Sequence, residues 1–302
     1  MLTYNGVDFV ADAIESVLDQ VTGFGVELII GDDASTDGTA EVVARYAARY
    51  PAVIRAHLHR QRGGGVAGRV NNMHNLNDAR GTYIAILDGD DAWLNPGKLH
   101  RQVRFLDAHP DYSFVGTDGR VERDGRFVKL HVADELWQDE RGFEVTWDLI
   151  RRSASTNVVT SSLLMRREAL LPLPDYFPSV IAADVYIHHE LLRAGRGYCL
   201  RGADTLYRRH GDSFVADYMR DPLKRLAYYD DYVRRRDLFP ELTRGPGLDE
   251  KEGWLLASLM IEAARARRFD VAVRGVTRVR TRNIVPALRR LIDRWRPGDS
   301  PR

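Results

Sequence analysis

The sequence predicts an α/β protein: a doubly wound, mostly parallel sheet flanked by helices, followed by a C-terminal helical extension. Three observations point to it. Val26 to Gly31 (VELIIG) and Tyr83 to Leu87 (YIAIL) are short, nearly continuous apolar runs, the pattern of strands buried on both faces. Segments with apolar residues at helical spacing lie between such runs. Beyond Asp217 the pattern turns mainly helical. Alternating β and α units of this length imply parallel strands joined by crossover helices, with ligands bound at the carboxyl ends of the strands.

The elements follow in order. Val7, Val10, Ile14, Val17, Leu18 and Val21 recur at helical spacing, so Val7 to Gln20 reads as an amphipathic helix. Thr39 to Tyr50 reads as a second helix, Val53 to His59 as a strand, and Val66 to Asp78, after three glycines, as a third helix. Lys98 to Ala108 is a helix and Ser113 to Thr117 a strand. Within Gly119 to Lys129 the turn Arg123-Asp124-Gly125 sits between alternating flanks, a hairpin signal. From Glu144 to Leu206 helix and strand alternate less regularly. Leu238-Phe239-Pro240 and Arg244-Gly245-Pro246-Gly247 mark loops between the later helices. Met1 to Tyr4 is shorter than the ~5 to 6 residues of an ordinary strand, so the first strand reads as clipped or the start codon as late.

Composition narrows the class. A chain of 302 residues with 44% apolar and 29% charged side chains can bury a large core, which excludes general disorder. A net charge of +1 excludes binding to nucleic acid through overall basicity. The distribution is uneven. From Glu262 to Arg302 twelve arginines face four carboxylates, a local +8, so the preceding 261 residues carry −7. The single cysteine, Cys199, excludes an internal disulfide and a Cys-rich zinc site. With neither a membrane-length apolar run nor a signal-peptide pattern, the chain reads as cytoplasmic.

Two acidic clusters follow the buried strands. Asp32-Asp33-Ala34-Ser35-Thr36-Asp37-Gly38-Thr39 places paired carboxylates in the ligand crevice, although the same residues suit a turn and a helix cap. Asp88-Gly89-Asp90-Asp91 holds three carboxylates that repel one another at neutral pH, more than a turn needs. A divalent cation removes the repulsion, and hard oxygen ligands suit Mg²⁺ or Mn²⁺ bound jointly with a diphosphate. Asp184 stands at the start of a helix, where an N-cap is its ordinary role. His210, in Tyr207-Arg208-Arg209-His210-Gly211, is a metal-ligand candidate that equally suits a surface or hinge position.

In this order and spacing the residues resemble the family 2 glycosyltransferases of the GT-A fold. The likeness runs from Thr3-Tyr4-Asn5 through Ser16-Val17-Leu18-Asp19-Gln20, the DDASTDGT segment and Gly81 to Trp93, to Lys98-Leu99 and Gln102-Val103. It is strong over residues 2 to 118 and fainter to about 212. The resemblance implies a catalytic domain over 1–212, with a nucleotide-sugar half (1–118) and an acceptor half (119–212), followed by a helical region (213–302). It also implies an inverting transfer from a nucleotide-sugar donor, usually a UDP-sugar, to a glycan, lipid-linked or small-molecule acceptor.

Carried over by position, Tyr4 stacks on the base, Asp33 bonds its imide and Asp32 lies near the nucleoside. Thr3, Asn5 and Gly89 join the donor-binding set. Asp88 and Asp90 match the DxD pair, with Asp90 or Asp91 reaching a Mn²⁺ or Mg²⁺ ion. His210 lies close to that metal, and Asp184 is the catalytic base. Where many members carry Ala-Arg-Asn this chain has Gly68-Arg69-Val70-Asn71-Asn72-Met73, so Arg69 or Asn72 is aligned with a contact to the diphosphate or sugar. Ala183 replaces the Gly or Glu common before the base. The roles agree with the chemistry, since inversion needs one carboxylate to deprotonate the acceptor and a cation on the departing diphosphate.

Two other functions compete. A nucleotidyltransferase would want a glycine-rich, basic N-terminal loop, which Thr3 to Asp8 lacks; a non-catalytic sugar-nucleotide binder would not need the candidate base. In the tail, Ile284, Leu288, Leu291, Ile292 and Trp295 share one helical face and Arg289, Arg290, Arg294 and Arg296 lie off it. That face suits packing on the acidic body or on a second subunit, or peripheral contact with the inner face of a membrane.

Overall fold

The computed structural model describes residues 1–62, 66, 68–210, 218, 220–242 and 245–277, so the expected tail helix lies outside the described residues. Two compact units are present: residues 1–146 with 157–210, and residues 147–156 with the described residues beyond 210. Segment 147–156, expected in the acceptor half, belongs instead to the helical unit.

The first unit opens with β1 (Leu2–Thr3), α1 (Val10–Leu18), β2 (Leu28–Asp32), α2 (Thr39–Arg49), β3 (Ile54–Leu58) and α3 (Arg69–Asp78). β1, β2 and β3 form a three-stranded parallel sheet in that order, with Thr3 opposite Asp32 and Asp32 opposite Leu58. Every residue of β2 is buried, as its unbroken apolar run requires. Val10, Ile14 and Val17 of α1 pack on Leu28, Ile30 and Val43, whereas Val7 and Val21 fall outside the shorter helix and are exposed.

β4 (Tyr83–Ala85), β5 (Ala92–Trp93), α4 (Lys98–Ala108), β6 (Tyr112–Arg123), β7 (Arg126–Leu130), β8 (Gly142–Val145), β9 (Leu164–Arg166), α6 (Ala183–Ala194) and β10 (Arg196–Arg209) complete this unit; α5 (Trp147–Ser153) belongs to the other. Their strands make a seven-stranded sheet with the path β4-β9-β6-β10-β5, joined by β7 on β6 and β8 on β10. Here the expected parallel order is corrected: only β6 and β10 pair in parallel, and the other pairs are antiparallel. β6 and β7 are joined by a hairpin, whereas the other antiparallel pairs bring together strands distant in sequence, which no crossover helix obliges to run parallel. The β6–β7 turn is the expected one, with Asp124 and Gly125 both at positive φ, as a two-residue hairpin needs. β7 is exposed along its whole length. Cys199 is fully buried in β10, between Gly116 of β6 and Phe143 of β8.

The second unit is helical: α5, α7 (Pro222–Leu238), α8 (Pro246–Arg265) and α9 (Phe269–Thr277). Asp221 caps α7 by accepting the N–H groups of Leu223 and Lys224 at 2.8 and 2.9 Å, with Pro222 at the first helical position. The two expected breaks appear after Leu238 and before Pro246. Tyr229 and Tyr232 of α7 pack on Leu255 and Leu256 of α8, and Leu259 and Ala263 pack on Val271 of α9. Arg236 and Glu252 form a buried ion pair between α7 and α8. Among the described residues, no helix is long and apolar enough to cross a membrane.

Candidate active site

The site lies along the carboxyl ends of β1, β2 and β4, where an open α/β sheet presents loops rather than side chains already committed to packing. At the nucleoside end, Asp33 follows β2 and is 3% exposed, its backbone N–H bonded to Thr3 O at 3.0 Å. Its Oδ2 accepts the Gly68 N–H at 3.1 Å and Arg62 Nε at 3.3 Å. The Arg62 guanidinium also covers the Tyr4 ring at 3.7 Å, so one cation faces both groups expected to read a base. Thr3 is buried and its Oγ1 has no hydrogen-bond partner among the described residues.

Two neighbours prove to be local ties. Asp32, 1% exposed, accepts the Ser35 N–H and hydroxyl, which closes the turn after β2. Asn5, at φ +46°, locks the same turn: its N–H donates to Ser35 Oγ and its Oδ1 accepts the Thr36 N–H, both at 2.9 Å. Asn5, expected in the donor-binding set, is thus tied into this turn.

The acidic loop is held against β1. Leu2 bridges to Asp88 in parallel, and the Gly89 N–H donates to Leu2 O at 2.7 Å. A Cβ on Gly89 would lie 2.8 Å from Thr3 Cβ and 2.9 Å from Leu2 O. Gly89 thus permits the close approach of the acidic turn to β1. Asp91 is 1% exposed; its Oδ2 accepts the Ser161 hydroxyl at 2.5 Å and its Oδ1 the Arg208 N–H at 2.8 Å. With both oxygens engaged inward, Asp91 braces the loop.

Asp88 and Asp90 remain at the surface of the crevice. Asp90 Oδ2 lies 2.9 Å from His210 Nε2, and the imidazole stacks on Phe9. Asp88 is pushed up to about 7 by desolvation, then by the neighbouring charges of Asp90 and Asp184. Asp91 is raised well above the usual carboxylate range, by burial first and then by Asp90 and Asp88. Among the described residues, no three His, Cys, Asp or Glu side chains gather into a metal cage. A pair of uncompensated carboxylates beside an imidazole nevertheless fits a hard cation whose shell is completed by water and phosphate oxygens.

Two residues of this loop went unrecognised in the sequence. Ser161 accepts the Asp88 N–H at 3.2 Å and donates to Asp91; Arg208 Nη1 donates to Asp90 O at 3.1 Å and its Nη2 to Asp12 at 3.1 Å. Below them Trp93 Nε1 donates to Ser161 O at 2.7 Å, with the fully buried Lys98 ammonium 4.2 Å from the Trp93 ring. Lys98 and Gln102 are bonded at 2.8 Å, and Gln102 Nε2 holds Ser162 O and Val115 O. The Trp, Lys and Gln of the resemblance are thus the floor of the acidic loop.

Asp184 occupies the second position of α6 and is exposed. The cap position is Ala182, so Asp184 is not the N-cap; its carboxylate has no hydrogen-bond partner among the described residues. Arg69, expected at the diphosphate, is 4% exposed and bonded to the carbonyls of Val180 and Ile181. Asn72 is half-buried on α3, whereas its neighbours Asn71 and Asn75 tie the helix to Gly31 O and Met1 O at 2.8 and 2.7 Å.

Residues 1–171 match the Glycosyl transferase family 2 model, and the chain belongs to that family. It is 35% identical over 253 residues to Rv1520 of Mycobacterium tuberculosis, covering 82% of this chain but only 64% of that protein's length. It is 26% identical over 222 residues to the UDP-Glc:alpha-D-GlcNAc-diphosphoundecaprenol beta-1,3-glucosyltransferase WfaP of Escherichia coli, covering 73% of this chain and 80% of that one. The fold is similar to S. aureus TarS 1–349, solved in complex with UDP-GlcNAc, with a TM-score of 0.56 at 19% identity over 90% of this chain and 87% of that one.

Proposed function

We propose that the chain is an inverting glycosyltransferase that moves a sugar from a UDP-sugar to a hydroxyl of a glycan, lipid-linked or small-molecule acceptor. One observation carries the reading: the charges of Asp90 and Asp184 both bear on Asp88, at one end of a crevice whose other end holds Tyr4 and Asp33. Tyr4 offers a ring for the base and Asp33 a buried acceptor for its imide N–H, once Arg62 gives way. Asp88 and Asp90, with His210 on Asp90, would hold a Mn²⁺ or Mg²⁺ ion. When bound, such an ion neutralises charge on the departing diphosphate.

Asp184 takes the acceptor hydroxyl's proton as that oxygen forms its bond to the anomeric carbon. The bond to the diphosphate oxygen breaks on the opposite side, and the electron pair leaves with the nucleotide. The related WfaP, a glucosyltransferase from UDP-Glc to a diphosphoundecaprenol-linked sugar, supports a UDP donor and, among the acceptor classes, a lipid-linked one.

The test is a panel of UDP- and GDP-sugars with Mn²⁺ or Mg²⁺, read as nucleoside diphosphate release with and without glycoside and lipid-linked acceptors. Metal-dependent release with a UDP-sugar is expected, and Asp184→Asn should abolish it while UDP still binds. Absence of release across the panel together with absence of metal-dependent UDP binding refutes the reading.

A further inference from the structure

The entry to α6 is built unusually for a helix that must aim a side chain. Its N-cap is Ala182, which has no side-chain oxygen to bond the first turn. The first carbonyl taken up by the helix is that of Ala182, accepting from Val185 and Tyr186 at 3.1 and 3.3 Å. The carbonyls of Val180 and Ile181 precede it, so no helical N–H reaches them.

Arg69 supplies donors to both. Its Nε and Nη2 lie 3.0 and 2.7 Å from Val180 O, and Nη2 lies 2.9 Å from Ile181 O. The guanidinium also covers the Phe177 ring at 5.1 Å, on the short turn that leads into this segment. A planar fork fixing two consecutive carbonyls sets the direction of the chain three residues before Asp184, which a single point donor does not.

The fork itself is firmly mounted. Arg69 is the first residue of α3, directly after Gly68, whose N–H is bonded to Asp33. Asn71 and Asn75 then fasten α3 to Gly31 and Met1. The carbonyls that Arg69 holds are 111 and 112 residues away in sequence, so it joins the nucleoside end of the site to the segment carrying the base.

We propose that Arg69 is the positioning residue for Asp184: through the Val180 and Ile181 carbonyls it fixes the carboxylate at the reacting hydroxyl, and it does not bind the donor. The inference rests on the reading of Asp184 as the base. An error of the order of 1 Å in such a group costs about 100-fold in rate.

Arg69→Lys keeps the charge but loses the fork. With the sugar nucleotide identified by the panel, kcat is expected to fall about 10- to 100-fold. UDP binding in Mn²⁺, measured by calorimetry, should keep its Kd and its stoichiometry. In the Asp184→Asn background Arg69→Lys should change the residual rate no further, because the group it positions is gone. Should Arg69→Lys fold poorly, Arg69→Gln, neutral and tolerant of burial, takes its place in the same comparison. Three results overturn the proposal: unchanged kcat, UDP binding weakened in step with turnover, or losses that multiply in the double variant. If Asp184→Asn itself retains full transfer, the base assignment falls and takes the positioning role with it. If Asp184→Asn is inactive and Arg69→Lys fully active, only the positioning role falls.

Discussion

Binding of Mn²⁺ to the nucleotide-free protein should depend on pH, through Asp88. Without a cation this carboxyl is pushed up to about 7, by desolvation and then by the charges of Asp90 and Asp184. A hard cation needs the ionised form, so proton and metal compete. With a pKa of about 7, about one molecule in eleven has Asp88 ionised at pH 6 and about ten in eleven at pH 8. The apparent affinity is therefore expected to weaken about tenfold from pH 8 to pH 6, about 1.4 kcal/mol. The assay is titration of free Mn²⁺ by its EPR signal, without nucleotide so that no phosphate titrates in the same range. Asp184→Asn supplies the internal control. It removes one charge that raises Asp88 but no proposed ligand, so the midpoint should move to lower pH. An affinity that is flat between pH 6 and 8 refutes the reasoning.

The same shifts govern stability. Asp88 and Asp91 have folded pKa values above their unfolded ones, so the folded state holds the extra protons; their contribution is complete below about 4 and is lost as pH rises, for Asp88 through about 7. Melting in EDTA should show Tm declining over pH 5 to 7 and Mn²⁺ reversing the decline. Ser161→Ala strips the buried Asp91 oxygen and the Asp88 N–H of a partner, which should cost about 1–3 kcal/mol in urea unfolding. Gly89→Ala forces a Cβ against Thr3 and Leu2, so it should weaken UDP binding and lower Tm together. In the helical unit, Glu252→Gln removes the buried carboxylate of the Arg236 pair and leaves Asp249, 3.1 Å away, as an ionic contact, so about 1–3 kcal/mol of stability should disappear in thermal unfolding.

The local signals in the sequence were faithful where one element decides the outcome. Helix α4 runs from Lys98 to Ala108 as its periodicity predicts, and the helix breaks near Pro240 and Pro246 follow from proline chemistry. The two acidic clusters lie at strand ends because each follows an unbroken apolar run. What pattern does not carry is partnership at a distance. β6 extends to Arg123, well past Thr117, because Asp118 accepts the Gly119 and Val132 N–H groups and makes a polar stretch fit for burial. β10 was not recognised as one strand of fourteen residues, since Arg201, Gly202 and Asp204 interrupt its apolar pattern and the ladder absorbs them as register shifts.

The site divides in the same way. Asp88, Asp90 and Asp91 look alike in sequence, and only the distant Ser161 and Arg208 decide that Asp91 turns inward. For Arg69, nothing in its sequence neighbourhood announces the two carbonyls at 180 and 181 that it holds.

Cys199 has a practical consequence. It is the only cysteine in the chain, fully buried in the β6–β10–β8 ladder, with burial raising its thiol well above the ordinary range. The native protein therefore starts almost silent to maleimides and other thiol-directed reagents while it stays folded. A cysteine introduced at an exposed position such as Val128 on β7 becomes the sole reporting handle, and a fluorophore attached there reads events at the hairpin against no background. Conversely, the onset of Cys199 labelling on heating or in denaturant is a direct clock for opening of the central sheet.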